Sequence, residues 1–233
     1  MQRRRLIGRI LRYSILLAVI PAVILLGVLL FNDRKYNIIA AAVAVLACIP
    51  FFLLYERKQS STRELILIAV MVAISSVGRF IFAALPGFKP VTAVIIITAM
   101  YFGAEAGFLT GALSAIVSNI YFGQGPWTPF QMFAWGFIGL LAGLLNKKGL
   151  LNNWVGLLTA GALSGVLFSL LMDIWVVFDA AGNFNVALYG TKIISALPFT
   201  AIYAVSNMLF LAVLTKRVGR ILARIKIKYQ LKG

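Results

Sequence analysis

The chain has 233 residues, is 62 % hydrophobic and only 12 % charged, and carries a formal net charge of +16. Soluble domains carry about 25 % charged residues, so the composition excludes a soluble globular protein and describes an all-α, polytopic membrane helix bundle. With no histidine and a single cysteine, Cys48, an intrachain disulfide framework is excluded and a Cys/His zinc site is implausible, one such ligand falling short of the three or four it needs.

Apolar runs of about 17–25 residues mark membrane spans. They predict helices at 13–31, 37–54, 64–84, 90–102, 104–121, 129–145, 154–178 and 193–215. The basic start, Met1–Arg5, resembles a signal peptide. No small-residue cleavage site follows Phe31, so this segment reads as an uncleaved first span. The first two helices are almost featureless, and Cys48 reads as a buried small residue. The polar linker Tyr55–Arg63 separates this N-terminal helix pair, residues 1–55, from a six-helix core at 56–216. The fourth helix is short, and Gly103–Gly107 leaves only a tight reversal before the fifth; short or broken helices near a pocket are a feature of transporters. Residues 217–233 form a basic tail, expected as a helix on the anionic inner leaflet. Eight spans put both termini on one side, and 17 of the 22 Lys and Arg residues fall on that side. The positive-inside rule then makes both termini cytoplasmic.

The segment with the most chemical variety is Ser118–Trp135. Its centre, Gly123–Pro129, cannot continue a helix, because two prolines remove donors and two glycines free the backbone. Asn119, Tyr121, Gln124, Trp127, Thr128 and Gln131 gather at this bend. It reads either as an interfacial turn or as a loop closing a ligand pocket. Trp127, Gln131 and Trp135 recur every fourth residue and share one helix face, as an aromatic belt or as a wall for a planar ligand. Arg79 lies about 22 Å along its helix, in the outer half of the bilayer. An intramembrane arginine is a functional candidate; snorkelling to the interface is the plain alternative. Asp173 sits at comparable depth, and an Arg79–Asp173 pair would explain how both are tolerated. Glu105 reads as a helix-start charge. Ala69 and Ala73, one turn apart, form a small-residue surface of the kind that packs membrane helices. No nucleophile–base pair, metal site or phosphate loop is present, so nothing in the sequence requires an enzyme.

From the third span onward the chain resembles the substrate-binding S components of energy-coupling factor (ECF) transporters. The residues that carry the resemblance are Ala69-Val-Met-Val-Ala73, Gly78-Arg79, Phe88-Lys-Pro-Val-Thr92, Gly103-Ala-Glu-Ala-Gly-Phe108 and Tyr121–Gly136, over about residues 62–216. The N-terminal helix pair departs from the family pattern. The resemblance implies a six-helix, vitamin-binding subunit of a multi-pass cell-membrane importer, working with a transmembrane coupling subunit and two cytoplasmic ATPases. Ala69 and Ala73 would dock the coupling partner. Loops such as Ala84–Pro90, which carries Lys89, and Phe122–Pro129 would cap an outward-facing pocket. Arg79, Lys89, Asn119, Tyr121, Gln124, Trp127, Thr128, Gln131, Trp135 and Asp173 make up the expected substrate-binding set. The chain binds no cofactor on this reading, and without a Gly-xxxx-Gly-Lys-[Ser/Thr] loop it leaves ATP to its partners. The Trp-rich segment most resembles cobalamin-type members; riboflavin, another vitamin or a nucleobase-like precursor are the alternatives. The competing class is a non-transporting membrane scaffold or a lipid-modifying enzyme.

Overall fold

The computed structural model of the protein describes residues 8, 10–31, 38, 39, 42, 43, 46, 49 and 62–229. The expected helix at 37–54 lies mostly outside the described residues, as do Cys48 within it, the 55–61 linker and both extreme termini. The described elements are all helical. An N-terminal stretch, Ile10–Gly27, is long and apolar enough to cross a membrane. It includes a π-helical turn, Ile15–Val19, followed by α1 at Ile20–Phe31. Pro21 comes one residue after that turn, and a proline ring disturbs the hydrogen bonding of the turn before it.

Six helices form the body: α2 (Thr62–Ile81), α3 (Val91–Phe102), α4 (Ala104–Phe122), α5 (Trp127–Lys147), α6 (Trp154–Ala181) and α7 (Val186–Lys228). The short α3 is the centre, with 10 of its 12 residues buried. It touches every other helix of the body. A helix enclosed on all sides has no polar face to present, which explains the uniform Val91–Phe102 run. At about 18 Å it falls short of a bilayer core of about 30 Å, and neighbouring helices cover it. The joint to α4 is one residue: Gly103 sits at φ 95°, and its N–H bonds to Ala99 O at 2.9 Å.

The most extensive helix contact is α4 on α5, followed by α6 on α7. In the α4–α5 seam, backbone meets backbone: a Cβ at Gly107 would stand 2.6 Å from the Gly139 carbonyl oxygen. Small residues permit this approach between membrane helices. Gly123, at φ 94°, ends α4. Trp127 opens α5 two residues before the expected start, because Pro129 falls in the first turn, where a missing N–H costs nothing. Asn153 caps α6 by accepting from Gly156 N at 2.7 Å, and Asn185 caps α7 by accepting from Leu188 N at 3.0 Å. The Asn185 cap moves the last helix seven residues ahead of the expected 193. Its far end also differs: the expected tail from 217 continues α7 without a break, through Gly219 against Tyr101, to Lys228.

Among the described residues, five helices have the length and composition to cross a membrane, namely Ile10–Gly27, α2, α5, α6 and α7, and α3 is a shorter apolar helix. The chain is therefore a multi-pass membrane protein. Its loop end carries the 82–90, 123–126 and 182–185 connections. Its basic end carries Lys147, Lys148 and the run from Lys216 to Lys228.

Candidate functional site

The α4–α5 connection is tied by its own side chains. Asn119, fully buried at the last turn of α4, donates from Nδ2 to Gln131 Oε1 at 2.8 Å and to Thr128 Oγ1 at 3.1 Å. Thr128 Oγ1 donates to Gln124 Oε1 at 3.1 Å and accepts from Gly125 N at 3.2 Å. Gln124 Nε2 reaches back to Ile116 O at 2.8 Å. Arg79 of α2 closes the network from the other side, donating from one terminal nitrogen to Ser118 Oγ and Asn119 Oδ1, each at 2.6 Å. The guanidinium also lies 4.4 Å from the Phe122 ring centroid and 5.3 Å from that of Trp135. Arg79 thus points into the bundle rather than out to the interface. Polar and aromatic partners supply the hydration that lipid cannot.

Beside this network lies a cavity of about 40 Å³. Its aromatic wall is Trp135 stacked on Phe168, with centroids 5.3 Å apart and planes at 16°, and Tyr203 meets Phe168 edge-on at 5.4 Å. Asn207, one turn beyond Tyr203, also lines it and donates to Gly161 O at 3.2 Å. Gly87, Lys89 and Thr92 close the mouth. The 82–90 loop is held down at two points. Ser206 Oγ accepts from Lys89 N at 3.0 Å and donates to Lys89 O at 3.2 Å. The Lys89 ammonium donates to the carbonyls of Phe82 and Ala83. Burial, and then the charge of Arg79, hold the Lys89 pKa below the ordinary lysine value.

Of the expected binding residues, Lys89 and Trp135 line this cavity, and Arg79 connects it to the polar network. Asn119, Gln124, Thr128 and Gln131 are brought together, but their hydrogen bonds go to one another, to Arg79 and to the backbone of Ile116 and Gly125. Tyr121 stands apart, 65 % exposed and edge-on to Phe80 at 4.5 Å. Trp127 packs edge-on against Trp175 at 5.7 Å, one face with Trp135 as its spacing requires, and does not reach the cavity. The expected Arg79–Asp173 pair is not formed, because Ser118 and Asn119 take the guanidinium. Asp173 is 8 % exposed, with Oδ2 unpartnered and Lys192 and Tyr203 within electrostatic reach. Phe168, Tyr203 and Asn207 were not anticipated. The available signal was the Tyr203–Asn207 pair, two polar side chains one turn apart in an apolar run. Ala69 and Ala73 are both exposed on α2. They are not used for packing within the bundle. Glu105 begins α4 as expected and stands 3.5 Å from Arg12 Nε of the N-terminal helix.

The structure is thus a multi-helix membrane body with a small aromatic cavity under a pinned loop. A family model described as "ECF-type riboflavin transporter, S component" matches residues 59–219, the whole of α2 to α6 and most of α7. The chain belongs to this family and is a substrate-binding subunit of a vitamin transporter, not an enzyme. It is also similar to a UPF0397 protein of Aliivibrio salmonicida (strain LFI1238), at 26 % identity over 154 residues, or 62 % of this chain and 78 % of the relative. No solved structure matches the chain.

Proposed function

We propose that the chain captures a vitamin with a flat ring system, riboflavin first among the candidates, beside Trp135, where the space of about 40 Å³ has to widen to admit a ligand of that size. The observation that carries this reading is the near-parallel Trp135–Phe168 stack with Tyr203 across its edge, since offset aromatic planes favour a third planar ring. Arg79, Lys89 and Asn207 lie around it as polar groups that fix orientation. The riboflavin named in the description of the matching family supports the same choice. Cobalamin, expected from the Trp-rich segment, loses that support because Trp127 packs on Trp175. On this reading the loop end faces outward and both termini are cytoplasmic, in line with the basic residues gathered at the opposite end. The chain binds no cofactor of its own. It passes its load to a transmembrane coupling subunit driven by two ATPases, with Ala69 and Ala73 as the contact face.

The test is titration of the purified full chain with riboflavin and with cyanocobalamin, and mass spectrometry of whatever co-purifies. Saturable riboflavin binding supports the proposal; cobalamin binding alone overturns the flat-ring choice. Ala69→Trp and Ala73→Trp are expected to keep ligand affinity while losing partner co-purification and uptake, since bulk prevents close helix approach. Normal uptake in an intact complex would reject the contact face.

A further inference from the structure

The basic end holds a second and larger cavity, of about 420 Å³, between the N-terminal helix and the ends of the body helices. Arg12 and Tyr13 supply one side; Tyr101, Glu105, Lys147 and Lys226 supply much of the other. Glu105 balances Arg12 at 3.5 Å, and among the described residues it is the one carboxylate lining the cavity, so Lys147 and Lys226 leave an excess of positive charge there. Lys226 Nζ uses one of its three donors on Tyr101 O at 3.0 Å. The remaining donors and the exposed Lys147 suit an anion with several acceptor oxygens.

A separate observation says what the anion is attached to. The same two sides, the N-terminal helix and α5, also border an apolar groove of about 110 Å³. Pro21, Ile24 and Leu25 face Phe130 and Phe133 across it, with α6 behind. Ile24 lies about 16 Å along the helix from Tyr13, and Phe133 about 21 Å along α5 from Lys147. Half of a bilayer's hydrocarbon is about 15 Å thick. A basic cavity at a membrane boundary and an apolar groove about 16–21 Å further along one seam, around and just past the bilayer midplane and within reach of a long acyl chain, have the layout of a two-part amphiphile.

We propose that this seam binds one anionic phospholipid, with its phosphate in the cavity beside Lys147 and Lys226 and an acyl chain in the groove beside Ile24. Basic pockets between membrane helices hold anionic headgroups by this combination of charge and depth. The N-terminal helix, which lies outside the family match, then has a role: it completes a lipid site against the transporter body.

Native mass spectrometry of the full chain, after exchange into micelles doped with equal phosphatidylglycerol and phosphatidylcholine, tests this. The wild-type chain is expected to retain phosphatidylglycerol at least about fivefold over phosphatidylcholine, and Lys147→Gln/Lys226→Gln to lose that preference. Each single Lys→Gln variant is expected to lose part of it, which keeps the test decisive if the double variant does not fold. Ile24→Trp, filling the groove, is expected to reduce retention of both lipids. Equal retention of the two lipids by the wild-type chain overturns the proposal. So does displacement of phosphatidylglycerol by inorganic phosphate alone, which would make the cavity a site for the free anion.

Discussion

On the α4–α5 side of the loop-end cavity, Asn119, Gln124, Thr128 and Gln131 lie close together in sequence and satisfy one another's hydrogen bonds. On the α6–α7 side, Phe168 is far in sequence from the Tyr203–Asn207 pair; all three line the empty space, and Trp135 reaches across from α5 to complete the aromatic wall by stacking on Phe168. One wall is polar and closed on itself; the other is aromatic and open. The difference separates two uses of polar chemistry in a membrane. Groups that fix a loop must consume their own donors and acceptors, because lipid offers none. Groups that meet a solute must leave some contact surface unfilled.

The comparison breaks most visibly at Asn119. Asn119→Leu removes an acceptor from Arg79 and the donor to Thr128 and Gln131. Buried groups left without partners cost about 1–3 kcal/mol each, so the variant is expected to be about 3 kcal/mol less stable and to lose ligand binding with the fold. Thermal unfolding in detergent measures this; an unchanged midpoint would show that the polar wall is not a brace.

The aromatic wall is expected to behave differently. Trp135→Ala should weaken ligand binding about 30-fold, near 2 kcal/mol, as for a central aromatic contact, while Trp135→Phe keeps most of the affinity. Trp127→Ala should change affinity less than about twofold, since that ring packs on Trp175 outside the cavity. Ligand titration distinguishes the two tryptophans. Equal losses would erase the boundary drawn between the walls.

The smallest effect belongs to Lys89. Its pKa in the folded chain is depressed, so the unfolded chain binds more protons in the window between the folded value and the ordinary one of about 10.4. Stability therefore rises with pH through that window. A weak alkaline rise in unfolding midpoint is expected, and Lys89→Gln should flatten it. An equal rise in the variant would assign it to another group.

The spans were legible because hydropathy reports them directly, and the shortness of α3 was visible in Val91–Phe102 itself. The extent of α7 was not: Lys192 and the basic run after Lys216 read as helix ends, although the Asn185 cap and continued packing carry the helix past both. At the site, Ser118–Trp135 was conspicuous because it concentrates unusual residues. What composition cannot tell is whether a polar group is already satisfied, and that depends on partners such as Arg79, which lies 40 residues before Asn119. Phe168, Tyr203 and Asn207 were obscured by apolar runs in which one face resembles another.

The glycine seam between α4 and α5 has a consequence for the entropy of capture. Where Gly107 meets Gly139, and Gly111 meets the carbonyl of Trp135, no side chain stands between the helices to exchange rotamers. Ordering rotamer-rich groups costs about 0.5–1.5 kcal/mol each when a ligand binds. Along this seam that cost has already been met in folding. The backbone that carries Trp135 is therefore preorganised before a solute arrives.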